Sequence, residues 1–294
     1  MILVTGATGQ VGLRLVEELN DARVAVTAMV RAEAKAMDLP PSVDHVVATL
    51  DDPPPADVLR EFDRVFLMSP SREEQAELEV GFVDALVTAG HRPRVVKLAA
   101  DGFQEPDCTV RFMRSHRQIA MHLERTGLPI TYLAPNLYME NLLSATDTIR
   151  ERGLILAPAG GGRVGFVAVS DVAAVAARAL TEGDPPDIQV ITGPEALDYA
   201  DVAARVSTVF ARQVDYADIP AEEARSMMLD DGVLPWQAEG MLELFEWVSC
   251  GGCDTVTDTV RATAGEDART LEHWLNEQRG AFIGRWPGGS APRF

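Results

Sequence analysis

The chain has 294 residues, of which 47% are hydrophobic and 24% charged, and these values exclude both a small disulfide-stapled scaffold and a disordered chain. Because 45 residues are acidic and 26 are basic, the formal net charge is −19. A surface this acidic repels nucleic-acid phosphates and anionic lipid headgroups, so we expect no nucleic-acid partner and no membrane role.

We expect no targeting segment in this sequence. The chain opens directly on the apolar, strand-like residues 2–4, and no window reaches the roughly 18 consecutive apolar residues that a membrane span needs. The expected location is therefore cytoplasmic. In that compartment Cys108, Cys250 and Cys253 would stay reduced.

Over the first 135 residues, short β-branched runs alternate with amphipathic segments, which is typical of a parallel sheet covered by helices. Strands are predicted over residues 2–4, 24–30, 45–48, 64–68, 95–99 and 130–133. Helices are predicted over residues 11–19, 73–89 and 112–125, where apolar residues follow helical spacing. Repeated βα units predict a doubly wound α/β sheet of the Rossmann type, whose ligands bind beyond the carboxyl ends of the strands.

The pattern changes after Pro135. The sequence predicts a helix over 137–150, a strand and a helix over 164–180, and a further strand of the main sheet over 188–191. From Gly193 onward it predicts mainly helices, over 199–210, 222–229 and 236–248, with an extended segment at 214–216.

Two units follow from this arrangement. Residues 1–135 plus about 164–192 are expected to form a dinucleotide-binding domain. Residues of about 136–163 plus 193–287 are expected to form a smaller, mainly helical substrate lobe. The last residues, 288–294, are expected to be a frayed tail.

Glycines at positions 6, 9 and 12 lie between the first predicted strand and the first predicted helix. In such a pattern the first glycine allows a tight turn, the second admits a pyrophosphate and the third lets the helix pack on the sheet. The amides at the helix start then face the anion. The sequence predicts dinucleotide binding, with a purely structural turn as the alternative, through Gly6, Thr8, Gly9, Gln10, Val11 and Gly12.

The end of the second strand indicates which dinucleotide binds. Sites for NAD place a carboxylate there, but residues 27–30 contain none and are followed by Arg31 and Lys35. Because a guanidinium binds phosphate through paired hydrogen bonds, we predict that NADP(H) is favoured over NAD(H). A solvated surface arginine is the alternative.

Several short motifs are spread over the first 200 residues: VTGATG at 4–9, VR at 30–31, LMSP at 67–70, VVKL at 95–98, PNLYMEN at 135–141, FVAVSDV at 166–172 and ITGPEAL at 191–197. Together they resemble the NmrA-like family of atypical short-chain dehydrogenase/reductases, from residue 1 to about 220. The resemblance implies NADP(H) in the first lobe and a variable substrate pocket between the lobes. It also implies two kinds of activity, since the family includes reductases of quinones and carbonyls and regulators that bind the nucleotide without turnover.

The carboxyl ends of the predicted strands define a pocket at the nicotinamide side. Ser69 and Pro70 follow the fourth strand, and Pro135 and Asn136 follow the sixth. None of the four tyrosines has a lysine four positions later, so the tyrosine–lysine pair of the general short-chain dehydrogenase mechanism is absent.

Lys97, His116 and Tyr138 are the catalytic candidates. Lys97, within the fifth strand, either contacts a ribose or the substrate or forms a structural ion pair. His116 opens the next predicted helix and is either a proton donor with a usable pKa or a capping or surface histidine. Tyr138 either donates a proton or forms a wall beside the nicotinamide.

Cys250 and Cys253 form a CxxC motif without the second half of a zinc site. We therefore expect free thiols and no metal.

The sequence predicts an NADPH-dependent oxidoreductase that transfers hydride to a small apolar carbonyl or quinone-type substrate. The alternative is a catalytically silent NADP(H)-binding redox sensor. The expected partner is the small-molecule substrate and, as one option, a second copy of the chain in a homodimer.

Overall fold

A seven-stranded parallel sheet forms the centre of the molecule. The protein is represented by a computed structural model, which describes residues 1–183 and 185–283. The strands are Ile2–Val4 (β1), Val26–Val30 (β2), Asp44–Val47 (β3), Arg64–Leu67 (β4), Arg94–Leu98 (β5), Ile130–Pro135 (β6), Leu154–Ala157 (β7), Ile188–Ile191 (β8) and Asp215–Asp218 (β9). Their order in the sheet is β3-β2-β1-β4-β5-β6-β8, while β7 and β9 pair separately. The strand order reverses between β1 and β4, which confirms the predicted doubly wound Rossmann fold.

Helices cover both faces of this sheet. In the described ranges they are Gln10–Asp21 (α1), Ala56–Leu59 (α2), Gln75–Thr88 (α3), Arg111–Thr126 (α4), Thr146–Arg152 (α5), Val169–Thr181 (α6), Tyr199–Phe210 (α7), Ala221–Asp230 (α8), Pro235–Ser249 (α9), Thr259–Ala264 (α10), Leu271–Glu277 (α11) and Arg279–Ile283 (α12). Residues Glu33–Asp38 and Met139–Ala145 form 3-10 helices. Helices α1 and α6 pack on one face, and α3 and α4 pack on the other. None of these described helices has the length and apolar character that crossing a membrane requires.

The central strands are apolar because both of their faces are covered, and all residues of β2 are buried. Successive side chains of a strand point to opposite faces, so Val95 packs with the α3 and α4 layer and Val96 with the α1 and α6 layer. By the same alternation Lys97 lies on the α3 and α4 face, where it is buried. Strand β5 therefore places a charged side chain inside the core.

The predicted strands of the main sheet are confirmed, with end shifts of at most two residues. The start of β2 moves to Val26 because Arg23 adopts a positive φ of 57° and the Val24 N–H bonds to the Leu19 carbonyl at the end of α1. The predicted helices over 11–19, 73–89, 112–125, 199–210, 222–229 and 236–248 correspond to α1, α3, α4, α7, α8 and α9. The predicted tail at 288–294 lies outside the described residues.

Two predictions between residues 136 and 170 are wrong. The single helix over 137–150 is replaced by a 3-10 helix and α5, because the backbone around Tyr138 pairs with Val167 and delays the helix start to Met139. The strand at 164 is not formed, since Val164 makes only an isolated bridge to Leu197. The sequence reading also missed β7, the four short helices α2, α10, α11 and α12, and the 3-10 helix Glu33–Asp38.

An ion pair joins the sheet layer to the helices that follow residue 220. Arg111, the first residue of α4, donates from Nη2 to Glu243 Oε1 at 2.7 Å and from Nε to Oε2 at 3.0 Å. Its backbone N–H donates to Oε2 at 2.9 Å, and Nη1 donates to the Trp236 carbonyl at 3.1 Å. The two side chains are only 23% and 28% exposed. Burial alone would raise the pKa of Glu243, but the bonds from Arg111 lower it below its ordinary value of 4.5.

Replacing Glu243 with Gln should destabilise the protein by about 1.5 to 3 kcal/mol at pH 7, because the variant loses hydrogen bonds to a charged partner. The folded-state pKa of Glu243 lies below its unfolded value, so the pair stabilises above the unfolded value and loses this effect as the pH falls through the folded value. The difference between parent and variant should therefore be smaller at pH 3 than at pH 7. Urea unfolding at both pH values measures it.

Glu239→Gln is the matched control on the same helix. Glu239 pairs with Arg225 at a more exposed position, and its loss should change the free energy of unfolding by about 0 to 1 kcal/mol. Equal effects of the two substitutions at pH 7 would show that the Arg111–Glu243 pair stabilises the fold no more than the more exposed Arg225–Glu239 pair does.

Candidate functional site

The glycine turn between β1 and α1 leaves no room for side chains. Gly6 adopts a positive φ of 60°, and its carbonyl accepts from the Gly9 N–H at 2.9 Å. A Cβ atom on Gly12 would lie 2.2 Å from that carbonyl oxygen, and one on Gly9 would lie 3.2 Å from it. Only glycine at position 12 therefore lets α1 pack this closely on the turn.

The amino end of α1 is uncapped. Gly9 stands at the cap position without a side chain that could accept a hydrogen bond, and the first turn contains no acidic residue. The first amides and the positive end of the helix dipole are therefore available to an anion. Thr8 is half-buried and Gln10 exposed beside this end, whereas the side chain of Val11 packs into the core and leaves only its backbone for a ligand.

Thr5 ties the glycine turn to the end of β4, a contact that the sequence reading missed. Its buried Oγ1 lies 3.2 Å from the Phe66 carbonyl and 2.8 Å from the Met68 carbonyl, and it accepts from the Met68 N–H at 2.9 Å. The Met68 side chain lies so close to the turn that a Cβ on Gly6 would be 2.8 Å from its Cγ. The loop that contains Ser69 and Pro70 therefore begins beside the glycine turn.

At the end of β2, Arg31 is exposed and makes no hydrogen bond or ion pair within the described residues. Lys35, by contrast, is already paired, since its Nζ lies 3.0 Å from Asp38 Oδ2. Glu33 lies 3.0 Å from His45 Nε2 on the same surface. Of the two predicted cations, Arg31 is the one whose charge is left open to a phosphate.

A buried ion pair lies beneath the carboxyl ends of β4 and β5. Lys97 Nζ is 2.7 Å from Oε2 of Glu79 on α3, and their side chains are 1% and 0% exposed. Glu79 Oε1 accepts from Ser69 Oγ at 2.8 Å and from Gln75 Nε2 at 3.2 Å. Lys97 also donates to the Leu98 carbonyl. Of the two roles predicted for Lys97, the structure contains the ion pair, whereas a ribose or substrate contact stays a prediction.

The sequence reading missed Glu79. The sequence signal for Glu79 is an acidic residue on the apolar face of the predicted helix. Ala76, Phe82 and Val83 of the same face are buried. Burial lowers the pKa of Lys97, and the charge and hydrogen bond of Glu79 partly oppose this effect. Pairing is what makes a charge tolerable in this layer.

His116 lies in the second turn of α4 and not at its start, which is Arg111, and only 8% of it is exposed. Its Nδ1 is buried without a hydrogen-bond partner. Burial, followed by the charge of Lys97, holds the pKa of His116 well below its ordinary value. The alternative of a capping or surface histidine is therefore wrong, and the lowered pKa argues against a proton donor, a role that stays a prediction. At neutral pH the ring is uncharged.

Asn136 at the end of β6 is buried, and both of its amide protons are used. Nδ2 donates to Asp101 Oδ2 at 3.1 Å and to the Cys253 carbonyl at 3.0 Å, while Oδ1 accepts from the Leu137 N–H at 2.8 Å. Burial raises the pKa of Asp101. Asn136 thus joins the sheet edge to the segment around residue 253. The carbonyl of the preceding Pro135 also accepts from the Asp101 N–H, at 2.9 Å.

Tyr138 is half-buried and packs with Met68 against the core of the α1 and α6 layer. Burial, followed by the charge of Glu140, raises the pKa of Tyr138 above its ordinary value of 10.0. The phenol therefore stays protonated and is a weaker acid than a free tyrosine. Its role as a proton donor or as a wall stays open.

The two cysteines of the CxxC motif have different surroundings. Cys250 is exposed and Cys253 is buried, and both are free thiols, as is Cys108. Burial, followed by the charge of Asp101, raises the pKa of Cys253 to about 12. Among residues 1–183 and 185–283, no three or more His, Cys, Asp or Glu side chains are grouped so that they could hold a metal ion.

The strand order and the glycine turn define a protein of the Rossmann type. Its family is shown by the model of the NmrA-like family, which matches residues 1–275: the chain belongs to the NmrA-like family, as its motifs predicted.

Two relatives match over nearly the full length of both chains. The chain is 33% identical over 286 residues to an NAD(P)H azoreductase of Xenophilus azovorans, covering 96% of this chain and 99% of that protein. It is 31% identical over 284 residues to a (4-alkanoyl-5-oxo-2,5-dihydrofuran-3-yl)methyl phosphate reductase of Streptomyces griseus, with 96% and 99% covered.

Among solved structures, the chain is similar to an NADPH-dependent quinone oxidoreductase of Escherichia coli in complex with NADPH. The TM-score is 0.85 with 23% sequence identity, and the match covers 95% of this chain and 100% of the other. At this identity the similarity shows the fold alone.

Thr5→Val should reduce the free energy of unfolding by about 1 to 3 kcal/mol, because the isosteric change removes a buried hydroxyl and leaves the Met68 amide without its acceptor. Thr208→Val serves as the control, since its exposed hydroxyl bonds only within its own helix and its loss should cost about 0.5 kcal/mol or less. Chemical denaturation measures both. A cost for Thr5→Val no greater than that of the control would contradict the role assigned to Thr5.

Proposed function

We propose that the protein is an NADPH-dependent oxidoreductase that transfers hydride to a small apolar carbonyl or quinone-type acceptor. The observation that carries the proposal is the glycine turn with its uncapped helix end, with the unpaired Arg31 beyond the neighbouring strand. Full-length similarity to an NAD(P)H azoreductase and to a second reductase supports a reductive activity.

The residues present fit a nicotinamide dinucleotide. The backbone amides around Gly9 and Gln10, at the uncapped end of α1, would bind its pyrophosphate. The glycines of the turn leave this backbone uncovered by side chains. Arg31 would bind the additional phosphate that distinguishes NADPH from NADH. Bound there, the nicotinamide would supply a hydride to an acceptor at the carboxyl ends of β4, β5 and β6.

The residues on the nicotinamide side would mainly orient and enclose the reactants. Ser69, Pro70 and Tyr138 would border the ring, with Tyr138 contributing an apolar wall. Neither His116 nor Tyr138 is a strong acid at neutral pH, given their shifted pKa values. This supports acceptors whose reduced form needs little help from a protein acid, such as quinones.

The helices after residue 220 would complete the substrate pocket. Gln237 on α9 donates to the Ser71 carbonyl at 3.0 Å, just beyond the end of β4. Half-buried Met241, Phe245 and Trp247 on the same helix present apolar side chains that suit a flat apolar substrate. The division into a nucleotide domain and a substrate lobe is part of this proposal, as are a homodimer and a cytoplasmic location.

Turnover separates the proposal from the alternative, a silent redox sensor. Purified protein should oxidise NADPH in the presence of at least one member of a panel of quinones, aldehydes, ketones and azo dyes, followed by the loss of absorbance of the reduced nicotinamide. Tight binding of NADPH without consumption by any acceptor would favour the sensor instead.

Arg31→Ala should weaken NADPH binding about 10- to 100-fold and leave NADH binding nearly unchanged, because a charge-assisted hydrogen bond contributes roughly 1.5 to 3 kcal/mol. Calorimetric titration with both nucleotides measures it. Arg14→Ala, which removes the same charge from the exposed face of α1, is the control and should affect neither. Equal affinities of the parent for NADPH and NADH would remove the basis of the NADPH preference.

A further inference from the structure

The contacts of Ser69, Glu79 and Lys97 run in series from the sheet edge into the core. Ser69, half-buried in the loop after β4, lies 2.8 Å from Glu79 Oε1, and Glu79 Oε2 lies 2.7 Å from Lys97 Nζ. Lys97 pairs in register with Leu67, two residues before Ser69. The buried pair is thus attached directly to a residue at the pocket.

Glu79 can only accept in this arrangement. Its Oε2 lies against the ammonium of Lys97 as an ion pair, and its Oε1 accepts from the side chains of Ser69 and Gln75. A carboxylate with a cation on one oxygen and two donors on the other accepts hydrogen bonds and donates none.

Among residues 1–183 and 185–283, Glu79 is the one acid that forms an ion pair with Lys97. His116 of α4, whose pKa the charge of Lys97 helps to lower, is an uncharged ring, and on β5 the Leu98 carbonyl accepts from the ammonium. The pair is fully desolvated, so the attraction between its two charges is screened far less than in an exposed pair, while burial itself lowers the pKa of Lys97.

The hydroxyl of Ser69 has one proton, and this proton is donated to Glu79. What Ser69 has left for a ligand is therefore a lone pair. In a doubly wound sheet the dinucleotide crosses the edge between β1 and β4, and the side of β4 and β5 takes the nicotinamide half.

We propose that the Lys97–Glu79 ion pair fixes the Ser69 hydroxyl as a hydrogen-bond acceptor, which recognises an N–H or O–H donor on the nicotinamide riboside half of the cofactor. This inference rests on the proposed function. Ser69 is the contact residue, while Glu79 and Lys97 act through it as positioning residues. Two donors have the right chemistry: the carboxamide N–H of the nicotinamide and the hydroxyls of its ribose.

The test measures affinity without turnover, by calorimetric titration of the full chain with NADPH and two reduced analogues. One analogue carries an acetyl group in place of the carboxamide and so lacks its N–H; the other lacks a hydroxyl on the nicotinamide ribose. The parent should bind one of them about 3- to 10-fold more weakly than NADPH, which is the range expected for one neutral hydrogen bond. The analogue that loses affinity identifies the donor.

In Ser69→Ala the discrimination, that is, the difference in affinity between NADPH and the analogue that lacks the donor, should disappear. Ser69→Thr should retain it because the hydroxyl is kept. Ser71→Ala, two residues further in the same exposed loop, is the matched control and should discriminate like the parent. Lys97→Met should also abolish the discrimination, because it removes the ammonium that holds the Glu79 carboxylate in place, and the direction of the Ser69 hydroxyl is then no longer fixed.

A second variant guards against misfolding of Lys97→Met. The double variant Glu79→Gln with Lys97→Met removes both charges at nearly constant volume, a replacement that buried ion pairs often tolerate. It should fold and discriminate less than the parent, because an amide can either donate to Ser69 or accept from it.

The outcomes separate the two proposals. Loss of discrimination in Ser69→Ala, Lys97→Met and the double variant supports the inference. Identical responses of the parent and Ser69→Ala to both analogues would overturn it, and full discrimination in the double variant would overturn the role of the ion pair. A parent that binds NADPH but reduces no acceptor refutes only the oxidoreductase; a parent that binds no nicotinamide nucleotide refutes both.

Discussion

The contact between α1 and the turn after β1 determines the rest of the candidate site. A Cβ atom on Gly12 would lie 2.2 Å from the Gly6 carbonyl oxygen, so the helix can reach this position only without a side chain there. The close approach directs the uncapped end of α1 towards the edge of the sheet. Thr5 then bonds the turn to Met68, which places the loop after β4 beside it. The uncapped end of α1 and the loop after β4 thus belong to one rigid frame.

Charge is distributed unevenly around this frame. In a chain with a net charge of −19, the cation that follows β2 stays unpaired, whereas Lys35 nearby is bound to Asp38. Because no side chain among the described residues neutralises its charge, this arginine can pair with a phosphate of a ligand. The buried Lys97 differs, because Glu79 neutralises its charge. Ser69, which donates a hydrogen bond to Glu79, connects this ion pair to the edge of the sheet.

The parts of the fold that local patterns encode could be predicted from the sequence. Apolar runs gave the strands of the main sheet, and the glycines at 6, 9 and 12 predicted the turn, because both signals lie within a dozen residues. The partners of Lys97 and Asn136 could not be predicted, since Glu79 and Cys253 are brought to them by tertiary packing. The same reason explains the error at His116, whose environment is set by burial and by a lysine on another element.

Most polar groups at the sheet edge are already committed to the protein itself. Asn136 uses both amide protons, and the ammonium of Lys97 is neutralised within the core. His116 is uncharged, and the phenol of Tyr138 is a weaker acid than usual. An edge of this kind positions a hydride acceptor more readily than it protonates one. For the proposed oxidoreductase, the acceptor must then be a molecule whose reduced form is a weak base, and quinones meet this requirement better than simple ketones do.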